Sequence, residues 1–284
     1  MEIREVKAGR ILNPTSIDLG EYVINPYKGC ANSCVYCYVK SNRVTRNEAR
    51  RWGEYVDVRA NAPELLEKEL SLRKPRKVLL GSTTECFQPV EAEYGITRKV
   101  LGILNEKKVR YSILTRSPLL REYIPLLKAG CCESVYFTFN NYSEPLKEKL
   151  EPASASFSER IDTINTLLKE GVPVIPYLSP LLPFVSDLRG VFFNFELSKT
   201  VEFEGLNFNL GNINEVIKAL TGIRPDLEGR YNAMKEDPVF YDEVWRGIKK
   251  DVVREAIKAK KNHHIYVHSL SSYFENKYAK RKEC

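Results

Sequence analysis

The sequence predicts an α/β fold over residues 1–197, a parallel sheet wound with helices whose pattern favours a partial or complete barrel while spacing alone leaves an open sheet as the alternative, and a mostly helical extension over 198–284. Three observations carry this. Short runs rich in β-branched and aromatic residues alternate with amphipathic stretches from residue 23 to 197. Glycines stand where helical periodicity stops, at Gly130 and Gly171. One cysteine-rich loop follows the first strand signal, and the rest reads as a scaffold behind it. Repeated strand–helix units imply parallel strands joined by right-handed crossovers.

Residues 1–22 form a lead-in of mixed polarity. The first strand, at 23–26, runs into the cysteine loop. Residues 62–70 have apolar positions at helical spacing, with Pro63 suited to a first turn. A buried-strand run follows at 77–81, then a helix at 97–104 with Thr97 as its cap. Residues 111–115 are a strand and 118–128 a helix. Residues 134–139 are β-rich, and 158–169 form an amphipathic helix capped at Ser158. Strands follow at 172–177 and 191–197, where the alternation ends. Only a few residues separate Asp187 from Val191, too few for a full helix there. The extension mixes asparagine-rich turns (Asn207, Asn209, Asn212, Asn214) with a charged helix over 242–261.

Apolar and charged contents of 43% and 29% are those of a globular protein, and 284 residues suffice for a substantial core. No apolar run approaches the ~20 residues of a membrane span, and the N-terminus lacks a hydrophobic signal core. The expectation is a cytoplasmic protein with no membrane partner. The net charge of +7 is partly concentrated in the tail at 277–282, which permits a polyanionic partner but equally describes a solvated surface. Seven cysteines, three of them clustered, do not resemble a secreted disulfide framework.

The cluster is Cys30, Cys34 and Cys37, spaced Cys-x3-Cys-x2-Cys within Asn-Pro-Tyr-Lys-Gly-Cys-Ala-Asn-Ser-Cys-Val-Tyr-Cys-Tyr. Four cysteine ligands close a structural zinc or an electron-transfer cluster. Three thiolates without an obvious fourth ligand leave one iron of a [4Fe–4S] cluster open, and an open position is where a metal site does chemistry. A zinc site borrowing His263 or His264 is the alternative on spacing alone.

With an aromatic before the last cysteine, this stretch resembles the radical SAM signature. The resemblance implies a partial (β/α)6 TIM-like radical SAM barrel. It also implies a [4Fe–4S] cluster on Cys30, Cys34 and Cys37, and S-adenosylmethionine chelated by the open iron. Reductive cleavage of that cofactor would give a 5′-deoxyadenosyl radical that takes a hydrogen atom from substrate. Such chemistry needs an external one-electron reductant such as flavodoxin or ferredoxin. Further stretches resemble the spore photoproduct lyase-related branch: the run Gly81 to Glu91, Leu114-Thr115-Arg116-Ser117-Pro118, Thr138-Phe139-Asn140, Leu150-Glu151-Pro152 with Ser158-Glu159-Arg160, and Ser179-Pro180-Leu181.

By that resemblance Tyr36 lies near the adenine, and Ser82, Thr83, Arg116, Ser117, Thr138 and Asn140 line the cofactor pocket. Carboxyl ends of barrel strands are where fold physics also expects ligand groups. The related enzymes favour lysine where this chain has Arg116. Arg160 is read as a solvated helix charge or a weaker member of the pocket. Tyr38 and Cys86 are the candidate catalytic residues. A related enzyme's hydrogen-donor cysteine aligns near Ser82, whose O–H bond is too strong, so Cys86 serves only if its loop reaches the pocket. Cys131 and Cys132 read as packing thiols. The absence of a second cysteine cluster argues against auxiliary clusters. Three function readings follow: a spore photoproduct lyase-like enzyme with DNA as a candidate substrate, a radical SAM enzyme acting on a peptide or small metabolite, and a non-enzymatic iron–sulfur or zinc-binding module.

Overall fold

The structure is a computed structural model that describes residues 1–41 and 49–270. Its strands are β1 (Glu2–Val6), β2 (Asn13–Pro14), β3 (Tyr22–Ile24), β4 (Tyr27–Gly29), β5 (Tyr55–Arg59), β6 (Lys77–Leu80), β7 (Arg110–Thr115), β8 (Cys132–Phe139), β9 (Val174–Leu181), β10 (Thr200–Gly205) and β11 (Asn262–Tyr266). Its helices are α1 (Ala62–Arg73), α2 (Val90–Tyr94), α3 (Ile96–Glu106), α4 (Ile124–Leu127), α5 (Glu144–Leu150), α6 (Phe157–Lys169), α7 (Ile213–Thr221), α8 (Glu228–Glu236) and α9 (Pro238–Ala259). The main sheet has the order β11-β10-β9-β8-β7-β6-β3-β2 and is parallel throughout except for the edge strand β2. A small sheet, β1-β5-β4, stands beside the cysteine loop.

Alternation along parallel strands sorts side chains into two faces. One face carries Val78, Leu80, Tyr111, Ile113, Val135, Phe137, Phe139, Leu178, Val201 and Phe203, all buried; α3 and α6 pack on the strands that bear it. The other, inner face carries Ser112 opposite Ser134, Tyr136, Thr138 opposite Tyr177, and Glu202 opposite Tyr177, with Ser179 and Glu204 beyond them where the β9–β10 register shifts. Its floor is closed by Leu79 and by Ser112 and Ser134, whose hydroxyls lie 2.8 Å apart. Toward the carboxyl ends it opens, with Tyr177, Ser179 and Glu204 half-buried.

Several expectations are corrected. Residues 191–197 do not form a strand: Val191–Asn194 is a 3-10 turn after Gly190, which has φ +67°. Val191, Phe192 and Phe195 are buried while Phe193 is 62% exposed. That spacing serves a tight turn, and tertiary burial overrides the β propensity of the run. The parallel sheet continues past residue 197 with β10 and β11. No α-helix lies between β9 and β10, as the short 187–191 segment suggests.

Residues 118–128 begin as a 3-10 turn (Pro118–Tyr123) before α4. Helix α6 is capped by Ser156, which accepts from the Glu159 amide at 3.2 Å, rather than by Ser158. Helix α3 is capped from a distance: Glu91 accepts from the Thr97 amide at 2.8 Å and the Arg98 amide at 3.0 Å. Thr97 therefore sits in the first turn, not at the cap. The charged helix expected at 242–261 starts earlier, where Asp237 accepts from the Val239 and Phe240 amides. Cys284 and the basic tail at 277–282 lie outside the described residues.

Candidate functional site

The loop between β4 and β5 carries Cys30, Cys34 and Cys37, the first two buried and the third half-buried. It is held from several sides. Asn25, leaving β3, accepts from the Thr83 amide at 3.1 Å. Thr84 donates to the Gly29 carbonyl at 2.5 Å, and Gln88 accepts from the Ala31 amide at 2.9 Å. The Val35 amide donates to the Leu150 carbonyl at 2.9 Å. Tyr38, 39% exposed, donates to the Ser82 carbonyl at 2.6 Å. The turn that presents these β6-end groups needs Gly81, whose φ is +87° and where a Cβ would stand 2.5 Å from the Leu114 carbonyl oxygen.

Behind the loop lies a buried ionic network. Arg116, at the end of β7, donates to the Tyr36 hydroxyl and stands 3.5 Å from Cys34 Sγ and 3.1 Å from Glu151. Glu151 also pairs with Arg160, and both side chains are fully buried. The same carboxylate accepts from Asn140 at 2.6 Å and Tyr142 at 2.5 Å. Burial alone would raise the Glu151 pKa; the charges of Arg160 and Arg116 outweigh it and hold the carboxyl at about 2. A second buried acid, Glu85, accepts from the Thr115 hydroxyl at 2.7 Å and the Arg116 amide at 2.9 Å, fixing the backbone of Arg116.

Opposite this wall, Glu204 at the end of β10 accepts from Tyr177 at 2.8 Å and Ser179 at 2.7 Å, and faces His268 Nε2 at 3.2 Å. Burial works to raise its pKa, and the bonds from His268, Ser179 and Tyr177 outweigh that and hold it below the usual range. Glu204 is close enough to Tyr38 to raise the phenol's pKa, after the larger effects of burial and Cys37, to about 12. Both groups of residues stand at the carboxyl ends of the parallel strands. Described cavities of about 620 Å³ and 520 Å³ lie elsewhere, beside Lys199 and Lys261 and between β9 and α9.

Cys34, Tyr36, Arg116 and Asn140 come together as expected residues, and Tyr38 with Ser82 forms a second contact of the loop. Thr83 contributes its amide to Asn25. Ser117 spends its hydroxyl on structure, donating to the Phe87 carbonyl at 2.5 Å and accepting from the Leu119 amide at 3.3 Å. Thr138 is 7% exposed on the inner face. Cys86 does not reach the surface: it is fully buried beneath the Gly81 turn, and burial pushes its thiol well up. Arg160 is no solvated helix charge but the buried partner of Glu151. His263 and His264 sit near the amino-terminal end of β11, paired with Val201 and Glu202, and are not brought to the loop. Sequence reasoning assigned no role to Glu85, Gln88, Tyr142, Glu151, Glu204 or Asn212. The first two and Glu151 lie inside motif runs, where a charged or amide side chain next to the signature was the available signal. Glu204 and Asn212 lie in no such run.

The donor set fits an iron–sulfur cluster. Three thiols lie on one loop and none is in a disulfide; burial, then the neighbouring sulfurs, raise Cys30 above the ordinary thiol range and Cys37 to about 12, a cost that the positive charge of bound iron offsets when the thiolates ligate it. Among the described residues no three such side chains converge on a single ion. Beside them, Asn140 Oδ1 is buried with no hydrogen-bond partner. Its amide nitrogen is fixed on Glu151, which leaves the oxygen an acceptor not used by the protein, as Arg160 Nε and Nη1 are unused donors of the same network.

The sequence matches the family model described as Radical SAM superfamily over residues 24–189, more than half of the chain. It is 30% identical over 252 residues to uncharacterized protein MJ0683 of Methanocaldococcus jannaschii, covering 84% of this chain and 95% of that one. Its identity to the Radical SAM Nalpha-GlyT isomerase of Pseudomonas phage M6 is 27% over 174 residues, covering 59% of this chain and 35% of that one. Among solved structures it is similar to a cysteine-to-serine mutant of spore photoproduct lyase, with TM-score 0.69 and 16% identity over 94% of this chain and 82% of that one. A variant of the same lyase with bound AdoMet and dinucleoside spore photoproduct gives TM-score 0.66 at 15% identity. At these identities the structural likeness speaks for the fold.

Proposed function

The chain belongs to the Radical SAM superfamily, and from that membership we propose an enzyme of lyase or oxidoreductase type that abstracts a hydrogen atom from a substrate held against the inner face. Its cofactors are the superfamily's [4Fe–4S] cluster and S-adenosylmethionine. When bound, they supply a carbon-centred radical generated by one-electron reduction, with an external donor such as flavodoxin or ferredoxin. The observation that carries the reading is the meeting of Cys34, Tyr36 and Arg116 in one dry site beside a three-thiol loop.

In this reading Cys30, Cys34 and Cys37 hold the cluster. Tyr36 and Arg116 orient S-adenosylmethionine, with Ser82, Thr83, Ser117, Thr138 and Asn140 placed around it. Arg116 offers a guanidinium to the cofactor carboxylate, a charge-assisted contact that a low-dielectric site strengthens. Glu151 and Glu85 fix its head and its backbone. Asn140 Oδ1 accepts from a cofactor N–H or O–H. Tyr38, exposed and next to the last cluster cysteine, faces the substrate. The sheet acts as a partial (β/α)6 barrel, and its fill of side chains keeps water from the reacting centre. The protein works in the cytoplasm.

DNA is the substrate class suggested by the likeness to spore photoproduct lyase. A peptide or small metabolite is the second reading, favoured by one feature: the inner face of β9 and β10 presents Glu202 and Glu204, which repel a phosphate and suit a substrate edge bearing N–H donors. The test is anaerobic reconstitution with iron and sulfide, reduction, and assay of 5′-deoxyadenosine from added S-adenosylmethionine. Cysteine-dependent product, lost in Cys34→Ala, supports the reading. A fully loaded cluster that never cleaves the cofactor, alone or with DNA or peptide present, sinks it.

A further inference from the structure

Asn212 lies outside the matched residues 24–189 and is 3% exposed. It stands at the N-cap position of α7, where an asparagine side chain ordinarily accepts from an amide of the first helical turn. Here it makes no such bond. Its carboxamide is turned instead onto the cysteine loop, donating to the Val35 carbonyl at 2.6 Å and the Cys37 carbonyl at 3.3 Å. The orientation is forced, because only the NH2 end can face two carbonyl oxygens. The Oδ1 end meets the Ser41 hydroxyl at 3.5 Å.

Two further contacts bring this segment onto the loop. Gly211 lies so close that a Cβ there would stand 2.9 Å from Ser41 Cβ. Lys40 pairs with Glu215 at 2.5 Å. Val35 is thus gripped at both ends, its amide by the Leu150 carbonyl and its carbonyl by Asn212. Between the two carbonyls that Asn212 binds lies Tyr36, whose hydroxyl meets Arg116.

We propose that Asn212 is a positioning residue for the cluster, fixing the Val35–Cys37 backbone so that Cys34, Tyr36 and Cys37 keep their places. The segment following β10 is on this view part of the cofactor site. The inference rests on the cysteine loop being the cluster loop. Removing both donors leaves two carbonyls to water and frees the loop between its second and third cysteines.

The decisive variant is Asn212→Asp. It keeps the shape and places a carboxylate at a helix N-terminus, which α7 tolerates, while abolishing both donors. Asn212→Ala is the companion, and Glu215→Gln the surface control. Each full-length chain is reconstituted anaerobically with iron and sulfide. Far-UV dichroism, iron release to excess EDTA, and the paramagnetic resonance of the reduced cluster with and without S-adenosylmethionine are then compared. The expected result for Asn212→Asp is unchanged helix content, about tenfold faster iron release, and a weakened cofactor-induced change in the spectrum, with Glu215→Gln at wild-type values. Wild-type iron release and spectra in both Asn212 variants overturn the proposal. If Asn212→Ala does not fold, Asn212→Asp decides alone. A wild-type protein that takes up no cluster overturns the functional reading itself, a failure visible before any variant is compared.

Discussion

The two walls at the carboxyl ends of the strands, one on β7–β8 and one on β9–β10, are built on opposite plans. The β7–β8 side is basic and closed: Arg116 and Arg160 converge on Glu151, which is fully buried, and Asn140 and Tyr142 fill its remaining acceptor positions. The β9–β10 side is acidic and open: 31% of the Glu204 side chain is exposed, and its partners Tyr177, Ser179 and His268 are themselves only partly covered. A buried ionic wall of fixed geometry suits a ligand of fixed charge. A partly solvated wall of hydroxyl, carboxylate and imidazole suits a ligand with hydrogen-bond donors that enters and leaves. In the proposed function, cofactor belongs to the first side and substrate to the second.

Breaking the closed wall has the largest expected effect. Glu151→Gln leaves Arg160 buried without its charge partner, and the loss is about 3–5 kcal/mol of unfolding free energy by denaturant titration. A loss under about 1 kcal/mol would mean the network is not holding the wall. The sign with pH follows from the depressed carboxyl. Its folded pKa, about 2, lies below the ordinary carboxylate value of 4.5. The contribution is therefore complete above that ordinary value and is lost as pH falls toward 2. The stability lead of wild type over Glu151→Gln is expected to be flat from neutral pH down to about 5 and to shrink below it. A lead that grows on acidification contradicts the assignment.

The open wall should give way more gently. Tyr177→Phe removes one bond to a partly solvated carboxylate, at an expected cost of about 1 kcal/mol, and shifts Glu204 upward toward the ordinary carboxylate range. Infrared titration of the carboxylate band in Tyr177→Phe against Glu204→Gln reads this; an unmoved band would show that Tyr177 does not hold Glu204. The smallest effect belongs to Cys86→Ala. A fully buried thiol is replaced by a methyl, so stability falls by about 1 kcal/mol while 5′-deoxyadenosine formation stays at the wild-type level. An altered product distribution with unchanged cofactor cleavage would instead return Cys86 to the role of hydrogen donor.

The cysteine loop, Arg116 and Asn140 were legible in the sequence, and the reason is local. Cys30 to Tyr38, Gly81 to Glu91 and Leu114 to Pro118 are contiguous runs, and each places its side chains within a few residues of a strand end. What escaped was pairing across runs. Arg160 looked like a solvated helix charge because its partner, Glu151, lies on the preceding turn, and charge alone does not show burial. The open wall was not legible: Glu204 belongs to a strand that starts only three residues after the expected end of the alternation. The β-rich run at 191–197 drew the strand assignment that belonged to β10. Asn212 reads as one more turn asparagine, since nothing in its neighbourhood reveals two carbonyls 175 and 177 residues away. Cys86 shows the converse, a reactive residue type in the right run whose burial only the packing of the Gly81 turn decides.

The division of labour between the walls is tested most directly by equilibrium binding of S-adenosylmethionine to the anaerobically reconstituted protein, comparing Arg116→Met with Glu204→Gln. Loss of the charge-assisted contact in Arg116→Met is expected to raise the dissociation constant at least about tenfold. Glu204→Gln is expected to leave it within about twofold of wild type, a difference worth under 0.5 kcal/mol. Equal weakening in both variants, or cofactor binding that survives Arg116→Met and fails in Glu204→Gln, would contradict the assignment of cofactor to the closed wall and substrate to the open one.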